Sequence, residues 1–198
     1  MPASEYKQKV RITVLGSKNS GKTSFVYRYL ARISLKNDEK ASNTTPYDNI
    51  YNHCVCLDHV LFDLEIVDLG HPNNGAKFEK SSDAFIVVYS LTAKADFEEA
   101  TGTCQRLKLM YPRKPVLLVG NKVDLEREVD LGEGHRLNGE LSVELSSAHD
   151  NSWEVHQAMY LLLRKVSEIY QLPVLLKALK AQSMVKGDYE DSLKMSSV

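Results

Sequence analysis

The octapeptide Gly16-Ser17-Lys18-Asn19-Ser20-Gly21-Lys22-Thr23 constrains this chain more than any other stretch. It fits the pattern GxxxxGK[ST], and it stands between the apolar run 10–15 and a helix-permissive segment, 23–31. A strand, a glycine-bounded loop and a helix in that order distinguish a phosphate-binding loop from a chance match. The glycines let the backbone close on a di- or triphosphate where a Cβ would collide. Successive N–H groups and the helix N-terminus then face the anion. Lys22 is placed to reach the β- and γ-phosphates, and the Thr23 hydroxyl to ligate a magnesium ion.

Around this loop, strand-like runs at 10–15, 51–57, 61–67, 84–89, 116–119 and 141–145 alternate with helical candidates at 23–31, 95–110, 133–140 and 153–170. The alternation predicts an α/β fold of the P-loop NTPase kind, with a six-stranded, mostly parallel sheet covered by helices on both faces. Runs 51–57 and 61–67 are joined by the short Asp58-His59-Val60 link, which makes them a hairpin and places one antiparallel strand at the sheet edge. In 153–170, Val155, Met159, Leu162, Leu163 and Val166 recur at helical spacing and mark the face that docks on the sheet. Pro173 is expected to end that helix. The chain divides into an N-terminal extension (1–8), one domain (9–172) and a C-terminal tail (173–198) whose polar end, 187–198, is expected to be disordered.

Composition excludes several function classes. At 198 residues the chain suits one domain with a proper core. A net charge of −1 argues against a broad nucleic-acid-binding surface. No apolar run approaches the roughly 18 residues a membrane span needs. The start, Met1-Pro2-Ala3-Ser4-Glu5, resembles no signal region, and Pro2 stands where myristoylation requires glycine. Three cysteines do not make a full disulfide set, so a reducing, cytoplasmic setting is expected. Cys54 and Cys56 share one strand face and read as packing thiols.

The base is read from Asn121-Lys122-Val123-Asp124, at the end of the run 116–119, where doubly wound sheets bind ligands. A carboxylate at Asp124 accepts from both the N1–H and the exocyclic amine of guanine, whereas adenine would leave it badly paired. Sites of this design discriminate by as much as roughly 10⁴–10⁵. Ser147-Ala148-His149, in a loop after the last strand, can supply backbone N–H groups to the guanine O6.

These motifs, in this order, resemble the Ras-like small GTPases over roughly residues 9–170, with Asp83-Ala84-Phe85-Ile86-Val87-Val88-Tyr89-Ser90 similar to the Ras and Rab branches and no insertion of the Rho type after Asp124. The resemblance implies GTP/GDP and Mg²⁺ as ligands. Gly16, Ser17, Lys18, Asn19, Ser20, Gly21, Lys22, Thr23 and Ser24 would hold phosphates and metal, and Asn121, Lys122 and Asp124 the base, backed by Ser147 and Ala148. It also implies a monomeric switch that meets effector or regulator proteins through residues 44–53 and 70–80.

The hydrolytic motifs depart from that pattern. Family members carry DxxGQ after the third strand, where Asp supports magnesium, Gly meets the γ-phosphate and Gln orients the attacking water. Here the chain reads Asp68-Leu69-Gly70-His71-Pro72. Asp68 matches and Gly70 comes one residue early, so either His71 occupies the glycine position or a one-residue deletion puts it at the Gln position; a solvated loop histidine is the competing reading. Lys18 and Asn19 replace small residues, and bulk at Lys18 obstructs an arginine supplied by a partner, an assistance worth roughly 10³–10⁵ in rate. The first-switch threonine aligns with Pro46, leaving Thr45, with Thr44 as its rival, to ligate magnesium. The longer stretch 34–43 lacks the aromatic that stacks on guanine, which predicts weaker or faster-exchanging nucleotide. The C-terminal Lys194-Met195-Ser196-Ser197-Val198 holds no prenylation cysteine, so membrane recruitment would depend on a partner. Together these features predict a guanine-nucleotide switch with slow or impaired hydrolysis, or else a pseudo-GTPase serving as a static interaction module.

Overall fold

A computed structural model describes residues 7–31, 49–58, 60–69, 75–148 and 153–170. The strands are β1 (Lys7–Leu15), β2 (Asn49–Leu57), β3 (Val60–Asp68), β4 (Ala84–Ser90), β5 (Val116–Asn121) and β6 (Ser142–Glu144). They form one sheet in the order β2-β3-β1-β4-β5-β6. Every pairing is parallel except β2 with β3, so the antiparallel strand is at the edge, as the short Asp58 link requires. Asp58 itself sits at φ 47°, a left-handed conformation that aspartate tolerates in tight turns.

The helices are α1 (Lys22–Ala31), α2 (Gly75–Ser81), α3 (Lys94–Met110), α4 (Glu133–Asn138) and α5 (153–170). The central strands β4 and β5 are buried along their whole length, because helices cover both faces. Ile86 and Val88 of β4 join Phe25 of α1 and Val155, Met159, Leu162 and Val166 of α5 in one core. Phe85, Val87 and Tyr89 turn to the other face and meet Ala100, Cys104 and Leu107 of α3. The helical stripe read from α5 is therefore its docking face. Among the described residues no helix is long and apolar enough to cross a membrane.

Three readings change. Cys54 and Cys56 do share a face, but both are exposed and are not packing thiols. Burial alternates along β2, so Tyr51, His53, Val55 and Leu57 turn inward while the cysteines lie on the opposite, exposed side. The Cys54 thiol donates to Asp63 Oδ1 at 3.6 Å. Helix α2 had no counterpart in the sequence pattern, because seven residues starting at a glycine make a weak periodic signal. Tertiary contacts hold it instead. Glu79, 3% exposed, receives both Arg106 Nη1 and Nη2 at 2.7 Å, and Lys114 Nζ donates to the Glu79 and Lys80 carbonyls at the helix end. The helix expected over 133–140 ends at Asn138 and tightens into a 3₁₀ turn over Gly139–Leu141, which shortens β6 to Ser142–Glu144. Residues 1–6 and 171–198, Pro173 included, lie outside the described residues.

Candidate nucleotide-binding site

The loop between β1 and α1 leaves the sheet at Gly16, with φ 138°. A Cβ there would lie 1.9 Å from the Val88 carbonyl oxygen of β4, so only glycine lets the chain pass this strand. Asn19 adopts φ 65° and Gly21 φ 98°. A Cβ on Gly21 would stand 2.0 Å from Asn121 Nδ2, which makes this glycine the point where two loops touch. Phe25 N–H then bonds to Gly21 O at 2.9 Å and starts α1.

Lys22 Nζ donates to the Gly16 and Ser17 carbonyls at 2.9 and 2.8 Å, arching over its own loop. Burial lowers the pKa of this ammonium from the ordinary lysine value, while the carboxylates of Asp68, Glu99 and Asp96 act in the opposite direction. At the C-terminal end of β3, Asp68 is 2% exposed and accepts from Thr23 Oγ1 at 2.6 Å. The structure thus joins the two oxygen donors that the sequence placed 45 residues apart.

Asn121 closes β5 and is 1% exposed. Its Nδ2 donates to Ser20 O at 2.9 Å, and its Oδ1 accepts from Ser147 N–H at 3.0 Å. One uncharged amide therefore ties the loop after β1 to the loop after β6. Lys122 follows at φ 68°. The Ala148 N–H donates to Ser146 Oγ at 3.2 Å. A cleft of about 530 Å³ opens between these loops, lined by Asn19, Lys22, Thr23, Asn121, Asp124 and Ala148 among others. Ser24 and Lys122 also border it. On the other side of the β1–α1 loop, Lys18 borders a second cleft of about 620 Å³ with Leu69, Glu79, Glu99, Thr103 and Arg106.

Thr44, Thr45, Gly70 and His71 lie outside the described residues, as does His149. Arg28 is a residue that sequence reasoning missed. Its Nε donates to Ser147 O at 3.1 Å and its Nη2 to Ala148 O at 3.0 Å. An arginine on the polar side of an amphipathic helix carries no local signal for such a role, since its partners are 119 and 120 residues away.

The donor set suits a phosphorylated ligand with a hard cation. In the glycine-bounded loop the hydroxyl oxygens of Ser17 and Ser20 are buried without hydrogen-bond partners among the described residues. Thr23 and Asp68 offer hydroxyl and carboxylate oxygen, the donors that magnesium prefers. The described residues hold no cluster of three or more His, Cys, Asp or Glu that could hold a metal ion. A Thr–Asp pair of this kind would need further oxygens from the ligand or from other residues.

Fold and site together define an α/β domain with a phosphate loop at the C-terminal end of its sheet. The Ras family model matches residues 11–168, and the chain belongs to the Ras family. A Bos taurus protein, Ras-related and estrogen-regulated growth inhibitor-like protein, is 32% identical over 194 residues, which span 89% of this chain and 92% of that protein. The Homo sapiens Ras-related and estrogen-regulated growth inhibitor is 27% identical over 166 residues, 79% of this chain and 81% of that protein. GTP-binding protein REM 2 of Homo sapiens is 29% identical over 160 residues, 74% of this chain but 46% of that protein. A signalling role of the small GTPase kind follows from this membership.

Proposed function

We propose that this protein is a guanine-nucleotide switch that loads GTP with Mg²⁺ and hydrolyses it slowly. The reading of the ligand rests on the joined loops: the β1–α1 loop, Asn121 and the Ser147–Ala148 turn border one cleft. The reading of slow turnover rests on one observation, Asp68-Leu69-Gly70-His71-Pro72 in place of DxxGQ.

In this assignment residues 16–24 hold the phosphates. Thr23 and Asp68 would hold Mg²⁺, with Thr45 added when the γ-phosphate is present. When bound, the ion would neutralise charge on the phosphate oxygens. Lys22 would exchange its two carbonyl partners for phosphate oxygens, a charge-assisted contact stronger than those it leaves. Asp124 accepts from the guanine N1–H and amine, with Lys122 and Asn121 shaping the wall, and the Ala148 N–H, which donates to Ser146 Oγ here, would be shared with O6. Gly70 would donate its N–H to the γ-phosphate. His71 takes the place of the water-orienting glutamine in an in-line attack on the γ-phosphate. Lys18, on the rim beside the second cleft, stands where a partner's arginine would have to approach. The protein would act as a cytoplasmic monomer, meeting effectors or regulators through residues 44–53 and 70–80.

Single-turnover hydrolysis of preloaded GTP with Mg²⁺ tests this reading. The expected rate lies below the roughly 10⁻⁴–10⁻³ s⁻¹ of an unassisted Ras-type site, falls further in His71→Ala, and nucleotide loading is lost in Lys22→Ala. Turnover at or above that range, unchanged in His71→Ala, would overturn the slow-hydrolysis assignment. Equal affinity for GDP and GTP with no turnover would replace the switch by a static module, because a ligand pair without differential affinity shifts no equilibrium.

A further inference from the structure

We infer that Arg28 is a latch that sets how long guanine nucleotide stays bound, acting through the Ser147–Ala148 turn. The inference rests on the guanine reading above and adds a positioning residue to that site. It starts from a closed circuit of contacts. Ser20 O receives Asn121 Nδ2, and Asn121 Oδ1 receives Ser147 N–H. Ser147 O and Ala148 O receive the Arg28 guanidinium at 3.1 and 3.0 Å. Arg28 belongs to α1, whose first residues are Lys22 and Thr23 of the phosphate loop. The helix that begins at Lys22 therefore sets Arg28, six residues on, against the turn that faces the base in that reading.

The geometry explains why the carbonyls matter. Among the described residues, the Ser147–Ala148 turn without Arg28 would be held on its amide side, by Asn121 and by Ser146 Oγ. A peptide held at its N–H alone can tip about its Cα–Cα axis, which carries the Ala148 N–H away from Ser146 Oγ and from the mouth of the cleft that Ala148 lines. The planar guanidinium fork pins two successive carbonyls from the opposite side, so the peptide between them keeps its orientation before any base arrives. Preorganisation of this kind removes an ordering cost from binding and slows release. A lysine at position 28 could reach one carbonyl, but it has no fixed fork to span both.

The experiment measures release of fluorescently labelled GDP from the full chain with Mg²⁺, for the parent, Arg28→Ala and Arg28→Lys. Loss of both charge-assisted bonds should speed release about tenfold in Arg28→Ala, with Arg28→Lys between the two. A general loosening of the fold would give the same acceleration, so base analogues supply the discriminating measurement. Replacing the guanine O6 by sulfur (6-thio-GDP) should weaken binding to the parent, and that penalty should shrink in Arg28→Ala. Removing the exocyclic amine (IDP) tests Asp124, and its penalty should be equal in both proteins. Parental release rates in both variants, or equal changes in the 6-thio-GDP and IDP penalties, would overturn the latch while leaving the guanine reading intact. Failure of the parent to bind GDP would overturn both. If Arg28→Ala does not fold, Arg28→Lys and Arg28→Gln carry the same comparison.

Discussion

At the end of the cleft proposed for phosphate stands one ammonium, that of Lys22, whereas the end proposed for the base is framed by a buried amide without charge and a turn held from behind. Lys22 is kept by two carbonyls until a stronger acceptor arrives, and burial lowers its pKa. Asn121, 1% exposed, has both ends of its side chain committed to protein. In the proposed reading the two ends would hold a ligand by different physics. A charged, exchangeable contact would supply affinity for any polyphosphate, while a rigid, fully bonded frame would supply selection among bases. They meet at Gly21, whose missing Cβ is the space Asn121 occupies.

Three further measurements would break or sharpen this contrast. Gly21→Ala attacks the junction. Its Cβ would overlap the Asn121 amide, and alanine is strained at φ 98°. The unfolding free energy should fall by about 3 kcal/mol in urea titrations, and the preference for GDP over ADP should collapse together with affinity. Retention of base preference in that variant would show that the two ends are not coupled there.

Asp124→Asn attacks the base end alone. GDP affinity should drop by about 10²–10³-fold, while inorganic pyrophosphate, which has no base, binds as in the parent. Xanthosine diphosphate should gain in relative affinity, because its C2 carbonyl accepts from the new amide N–H. A parallel loss of pyrophosphate would contradict the separation of roles.

The smallest effect belongs to the Lys22 ammonium in nucleotide-free protein. Because its folded pKa is lowered from 10.5, the folded state binds fewer protons than the unfolded chain between the two values. The cost of burying the charged form is full below the folded pKa and fades as pH rises toward 10.5. Stability, followed by denaturant unfolding, should therefore rise with pH across that window. The difference between the parent and Lys22→Met should show this slope, and equal slopes would remove the burial effect from the argument.

Much of the architecture was legible in the chain because it is written in local periodicity. The apolar runs at 84–89 and 116–119 are long enough to be buried on both faces, and they became the central strands β4 and β5. The stripe from Val155 to Val166 became the docking face of α5. What local pattern missed has tertiary causes. Helix α2 is held by Arg106 and Lys114 from elsewhere in the chain, and Cys54 and Cys56 are exposed because β2 lies at a sheet edge rather than in its centre. Of the site residues read from sequence, the described part of the structure pairs Thr23 with Asp68 and Asn121 with Ser147 and sets Lys22 on the Gly16 and Ser17 carbonyls, whereas Thr45, Gly70 and His71 fall outside it.

The sequence by itself determined that a strand, a glycine-bounded loop and a helix follow one another, and that Asn121 and Asp124 stand at and just beyond the end of another strand, because spacing and side-chain chemistry are properties of short segments. It also carried the departure from DxxGQ, which is a matter of residue identity alone. Only the tertiary structure decided that Gly21 makes room for Asn121, that Thr23 meets Asp68, and that Arg28 holds the turn at Ser147 and Ala148. Those contacts join residues up to 120 positions apart. Their existence depends on where the sheet order sets each strand end, which no local pattern of hydrophobic and polar residues records.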